Sequence, residues 1–249
     1  DIFCFLTKTS YALIPHDSKY HKKIFQKASK KTKKIISIGT KFNSDAKYEH
    51  LKKDKYLFSI FNKKILLKKN SFFQHWEKNI IIVLLILKIL NLRFTEFKNY
   101  LEKLKPLKGR GENTKISLGQ KSFFLIDESY NSSPQSLEKA IINASKLVNN
   151  SKLILVIGDM LELGKYSKES HLNIHKTVEK VSPSILFTVG ELSQLISNKL
   201  SSKIITQHFK SFHNVYERLI EEIGHNDIVM IKGSNSINLS RICEKLKKK

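Results

Sequence analysis

At 249 residues the chain is long enough to bury a sizeable core and to form two domains. Its 45 Lys and Arg against 22 Asp and Glu give a formal net charge of +23, but the arginines are only Arg93, Arg110, Arg218 and Arg241; base readout and bidentate phosphate recognition favour arginine, so the excess reads as a solvated lysine surface rather than a specific nucleic-acid face. Cys4 and Cys243 lie near opposite ends with no metal-ligand spacing, and the longest apolar run, Ile80 to Leu90 with Lys88 inside it, is too short to cross a bilayer, which points to a reducing compartment and argues against membrane insertion through a helix.

In chain order, the sequence enters at Asp1 directly into apolar residues, from which a piece of a longer protein is expected. Tyr11–Ile14 reads as a strand closed by Pro15 and Asp17, Tyr20–Ala28 as a short helix, and Ile35–Gly39 as a second strand. Tyr56–Phe61 and Ile65–Leu67 make a hairpin pair. His75 to Asn79 opens a strongly apolar helix that ends near Asn91 and reads as buried, and Thr95–Leu104 supplies another. Pro106 and Gly109 mark a domain boundary, which divides the chain into 1–107 and 108–249.

The second half is more regular. Ser122–Ile126, Leu153–Ile157, Ile185–Val189 and Ile228–Ile231 are short apolar runs without alternation, as expected of strands covered on both faces. Between them lie helical patterns: one behind Ser133 as N-cap and Pro134 at the first helical position, then Lys168–Val181, Leu192–Leu200, Asn214–Ile223 and Ile237–Leu246. This alternation predicts an α/β, doubly wound and mostly parallel sheet. Three strands end alike, in Gly158-Asp159, Gly190-Glu191 and Gly233-Ser234, where glycine permits a sharp turn or close approach of a ligand. No G-x-G-x-x-G follows any strand, which argues against a dinucleotide fingerprint.

Four motifs in order carry a resemblance: Gly109-Arg110-Gly111-Glu112; Asp127-Glu128-Ser129-Tyr130-Asn131-Ser132-Ser133-Pro134; Gly158-Asp159-Met160-Leu161-Glu162-Leu163-Gly164, followed by Ser167 and His171; and Lys232-Gly233-Ser234-Asn235-Ser236. Together they resemble the Mur ligases. The resemblance implies the C-terminal part of a central ATPase domain over 1–107 and a Rossmann-like ligase domain over 108–249. It implies ATP and Mg2+ as cofactors, and cytoplasmic amide-bond formation in peptidoglycan synthesis through an acyl phosphate. The pattern within the family is nearest to ligases that join D-alanyl-D-alanine to a UDP-N-acetylmuramoyl-tripeptide.

On this resemblance, His75 and Asn79 stand on the adenine side, a side-chain amide being able to pair with both N6 and N7 of adenine. Arg110 offers a fixed fork to nucleotide oxygens, Glu128 aligns with the family's usual ribose or hinge aspartate with Asp127 beside it, and Tyr130 and Asn131 line the nucleotide cleft. Asp159, Met160 and Glu162 are expected on the acceptor side, with turn and capping chemistry as the competing reading. Lys232, Ser234 and Asn235 follow the last strand, where a lysine and backbone N–H groups can hold a carboxylate or phosphate; His171 reads as a packing residue. No G-x-x-G-K-[ST] occurs in the chain, so the triphosphate cradle, the metal ligands and the carbamylated lysine of the family are expected upstream of Asp1, and the chain by itself is expected to be inactive. Two other readings stand beside this one: a Mur-type ligase for a different amino-acid acceptor, and a basic nucleic-acid-binding protein, which salt-sensitive nucleic-acid binding tighter than nucleotide binding would favour.

Overall fold

The computed structural model describes residues 2–51, 55–68, 76–103, 106–201 and 203–248, and the chain divides into two compact units, Asp1–Lys105 and Pro106–Lys249. The first unit contains β1 (Tyr11–Pro15), α1 (His21–Ser29), β2 (Lys34–Gly39), β3 (Ala46–Leu51), β4 (Lys55–Ile60), β5 (Lys63–Lys68), α2 (Glu77–Ile89) and α3 (Phe94–Glu102). Its sheet runs in the order β1-β2-β3-β4-β5, parallel from β1 to β3 and antiparallel from β3 to β5. In β4 the period-2 set Tyr56, Phe58 and Ile60 is buried, and α2 lays Ile80, Ile81, Leu84 and Leu85 into the same core. The apolar helix expected to be buried has an open side: Val83 and Ile86 are 40% and 43% exposed. β3 escapes prediction because Ala46-Lys47-Tyr48-Glu49-His50-Leu51 holds too few apolar residues to register as a strand; pairing with β2 and β4 creates it.

The second unit contains β6 (Glu112–Leu118), β7 (Lys121–Glu128), α4 (Pro134–Ser145), β8 (Leu153–Gly158), α5 (Ser167–Val181), β9 (Ile185–Val189), α6 (Gln194–Ser197), β10 (Ile205–Phe209), α7 (Val215–Glu222), β11 (Ile228–Lys232) and α8 (Ser240–Lys247). The sheet order is β10-β9-β8-β11-β7-β6, parallel throughout except for the β6–β7 hairpin. α4, α5 and α6 cover one face, burying Leu137, Ile141, Ile174, Val178 and Ile196 with Leu155 and Ile157 of β8. α7 and α8 cover the other with Val215, Leu219, Ile242, Cys243 and Leu246 against Ile154 and Val156. Every residue of β8, β9 and β11 is therefore buried, which is why these strands read as unbroken apolar runs.

β11 inserts between β7 and β8, so strand order reverses there and the loops after β7, β8 and β11 come together at the carboxyl edge of the sheet. Two of the strand-end glycines serve packing. A Cβ on Gly233 would sit 3.0 Å from Gly158 Cα, and one on Gly158 would sit 2.9 Å from Leu239 Cδ1. The expected helix from Leu192 to Leu200 shortens to the four residues of α6.

Candidate functional site

At the carboxyl ends of β7 and β11 lies an open cleft of about 240 Å³, lined by Gly109, Arg110, Glu128, Tyr130, Asn131, Ser132, Ser133, Ser136 and Lys232. The loop preceding β6 supplies Arg110, whose guanidinium stands 4.0 Å above the centre of the Tyr130 ring and so spreads its charge over an aromatic face. Lys232, 2% exposed at the end of β11, donates to the Asn131 carbonyl at 2.8 Å and approaches Glu128 Oε2 at 3.4 Å. Burial pulls the Lys232 ammonium below the usual lysine range, against the opposing pull of Glu128.

The far wall is the start of α4. Ser133 and Ser136 close the helix end through Ser133 N–H donating to Ser136 Oγ at 2.9 Å, and Pro134 occupies the first helical position. Ser132, immediately before this cap, is buried, and its Oγ has no hydrogen-bond partner among the described residues. A helix N-terminus with a free hydroxyl, a buried lysine and an arginine on one cleft can hold an anion, while Tyr130 offers a ring face.

A second opening of about 320 Å³ shares Tyr130 and Asn131 with the first and adds Leu161, Glu162, Ser234, Asn235 and Ser236. Ser234 Oγ accepts the Leu161 N–H at 2.8 Å, and Ser234 N–H donates to the Asp159 carbonyl at 2.9 Å, so the loops after β8 and β11 are laced together.

Arg110, Glu128, Tyr130 and Asn131 thus line the first cleft together with Lys232, and Glu162, Ser234 and Asn235 line the second. Three other expected site residues stand elsewhere. Asp127 is 0% exposed: its Oδ1 accepts the N–H and hydroxyl of Ser129 at 3.2 and 2.6 Å, and its Oδ2 accepts from Lys247 at 2.8 Å. Burial alone would raise its carboxyl, but the hydrogen bonds from Lys247 and Ser129 prevail and hold it below the usual aspartate range. Its carboxylate supports the cleft from within the fold and lines neither opening. Asp159, 4% exposed, accepts the N–H groups of Glu191, Leu192 and Ser193 at 2.8, 3.0 and 2.7 Å in the turn before α6, so turn chemistry accounts for it. Met160 is 0% exposed in the core beneath α5, and its N–H donates to His171 Nε2 at 2.8 Å. Because His171 Nδ1 faces the Ser167 carbonyl at 2.8 Å, the proton sits on Nδ1 and the ring is a buried strut.

Asn79 is exposed on the first turn of α2 in the first unit; His75 lies outside the described residues. Ser132 was missed as a cleft residue because a serine beside a helix cap is fully explained by capping until its hydroxyl is seen without a partner, and Ser136 because its hydroxyl does serve the cap. Among the described residues, no group of three or more His, Cys, Asp or Glu could hold a metal ion.

Comparison with known proteins agrees with this architecture. Residues 114–235 match the Mur ligase, glutamate ligase domain. The chain is 28% identical to the UDP-N-acetylmuramoyl-tripeptide--D-alanyl-D-alanine ligase of Rickettsia prowazekii (strain Madrid E) over 84% of its own length and 46% of that protein's. To the ligase of the same name from Buchnera aphidicola subsp. Baizongia pistaciae (strain Bp) it is 28% identical over 99% of the chain and 53% of the relative. It superposes on the crystal structure of MurF ligase from Thermotoga maritima in complex with ADP with a TM-score of 0.74 at 19% identity, covering 97% of this chain and 54% of that one, which shows a shared fold. The chain spans about half the length of the curated relatives it matches. With four ordered motifs and the doubly wound second unit, residues 114–235 resemble the glutamate ligase domain of the Mur ligases, and the chain shares the fold of MurF ligase from Thermotoga maritima.

Proposed function

We propose that this chain carries the nucleotide and acceptor sides of a MurF-type ligase, which uses ATP to join D-alanyl-D-alanine to a UDP-N-acetylmuramoyl-tripeptide. The observation that carries the reading is the convergence of Arg110, Tyr130, Glu128 and Lys232 on one cleft at the carboxyl edge of the sheet. The names of the curated relatives support the substrate class.

In this reaction the tripeptide carboxylate takes the γ-phosphoryl group of ATP. The amine of the dipeptide then attacks the acyl carbon, and phosphate leaves as the amide forms. Arg110, braced on Tyr130, supplies a fixed fork to the oxygens of the nucleotide, and Glu128 accepts from ribose hydroxyls. Lys232, the Ser132 hydroxyl and the N-terminus of α4 present donors to an anionic group, which orients the reacting partners without bonds that must reorganise during the reaction. The second opening, with Glu162, Ser234 and Asn235, takes the acceptor. Asn79, exposed on the first turn of α2, is assigned to adenine by the family resemblance alone. Among the described residues no group of three or more His, Cys, Asp or Glu could hold Mg2+. The chain has no phosphate-loop motif, so turnover requires a triphosphate cradle that these 249 residues do not provide.

The test has two arms. Titration of the chain with ATP and ADP should show saturable binding that Arg110→Ala weakens; binding indifferent to this substitution sinks the nucleotide assignment. In a preparation that supplies the phosphate loop, phosphate release should depend on D-alanyl-D-alanine in the presence of the UDP-linked tripeptide. Equal release with single amino acids would instead make this a ligase for another acceptor.

A further inference from the structure

Lys247 stands in the last turn of α8, yet its ammonium lies 2.6 Å from Glu112 Oε2 and 2.8 Å from Asp127 Oδ2. Asp127 passes the contact on, because its other oxygen holds both the N–H and the hydroxyl of Ser129. Ser129 directly precedes Tyr130, whose N–H donates to the Gly109 carbonyl at 3.0 Å and whose ring carries the Arg110 guanidinium. The Asp127 carbonyl in turn accepts the Gly111 N–H at 2.9 Å, so the loop bearing Arg110 is tied on both sides of the arginine to the segment that Asp127 anchors.

We propose that Lys247 is a positioning residue for the cleft: through Asp127 and Ser129 it sets the turn that presents Tyr130 and Arg110. The reason is one of burial. Asp127 is fully enclosed, so its charge requires a partner, and without Lys247 the carboxylate must either take up a proton, which weakens its bonds to Ser129, or turn towards water, which breaks them. α8 itself does not need Lys247 to stay docked, since Ile242, Cys243 and Leu246 bury its apolar side. The tie from this helix to the loop before Arg110, Lys108 to Glu244 at 2.6 Å, joins side chains 63% and 41% exposed and cannot substitute for a buried pair. The mechanical link stands on geometry alone; its consequence for binding rests on the nucleotide reading above.

Hydrogen exchange of peptides covering 128–133, with peptides covering 153–158 as the internal reference, tests the link in the whole chain. Lys247→Met and Ser129→Ala should each speed exchange in 128–133 by roughly tenfold while 153–158 is unchanged. The double variant should do no more than either alone, because both cut one path, and Lys247→Arg should restore protection. ATP affinity should fall several-fold in Lys247→Met and recover in Lys247→Arg. Unchanged exchange in Lys247→Met, or additive effects in the double variant, overturns the proposal. Should Lys247→Met fail to fold, Ser129→Ala decides, since it removes the shorter of the two bonds from Ser129 to Asp127 and leaves the ion pair in place: unchanged protection in that variant also overturns it. If exchange responds as expected while the wild-type chain binds no ATP, the positioning role stands and the nucleotide assignment falls.

Discussion

At the scale of single residues, the carboxylates divide by environment. Glu128 faces the cleft, whereas Asp127, one residue earlier on the same strand, points to the opposite face and is enclosed by Ser129 and Lys247. The pair has a readable pH signature. The Asp127 carboxyl is held below its ordinary value of 3.8, so its stabilisation is fully present above that value and is lost as pH falls through the lower folded one. Burial would lower Lys247, but its bonds to Asp127 and Glu112 raise it above 10.5, so its share is lost only as pH rises beyond that value. Denaturant melts should therefore show a constant advantage of wild type over Asp127→Asn between these limits, shrinking at both extremes; an advantage that disappears near neutrality would contradict the pairing. Asp159 makes a sharper case: removing three accepted N–H groups in Asp159→Ala should cost about 2 to 3 kcal/mol in urea unfolding.

At the scale of elements, the strands read most clearly are those with helices on both faces. β8, β9 and β11 are continuous apolar runs because no residue in them meets water. The missed strands β3, β6 and β10 hold few apolar residues in sequence, and their neighbours impose the extended state. Phe187 in β9 is 1% exposed and meets Phe209 edge-on at 5.5 Å between ring centres. Phe187→Ala should destabilise the second unit by about 3 to 5 kcal/mol, measured by chemical denaturation. The turn after β9 is equally constrained, since Gly190 has φ +116° and an added Cβ would fall 2.5 Å from the Asp159 carboxylate. Gly190→Ala should therefore cost at least about 1 to 3 kcal/mol, and a melting temperature equal to wild type would show that this loop can relax.

At the scale of the whole molecule, each unit has a core of its own: α2 on the mixed sheet in the first, and two cores on either side of the central sheet in the second. Residues 106–249 expressed alone should therefore unfold in one cooperative transition, with far-ultraviolet and near-ultraviolet signals coinciding; a broad, probe-dependent melt would show that this unit depends on the first. By itself the sequence determined the alternation of strand and helix, the start of α4 at Ser133 and Pro134, and the grouping of polar motifs at strand ends, because these depend on local periodicity and capping. It also carried the family resemblance. Only the tertiary structure decided which of the motif residues face the cleft. Inserting β11 between β7 and β8 brings Lys232 to Asn131 and Glu128, and the strand pleat sends Asp127 inward to Lys247. Likewise Asp159 and Met160 become turn anchor and core because the turn after β9 supplies N–H groups and α5 supplies an apolar face. Those contacts join residues distant in sequence, and no periodicity within a segment encodes them.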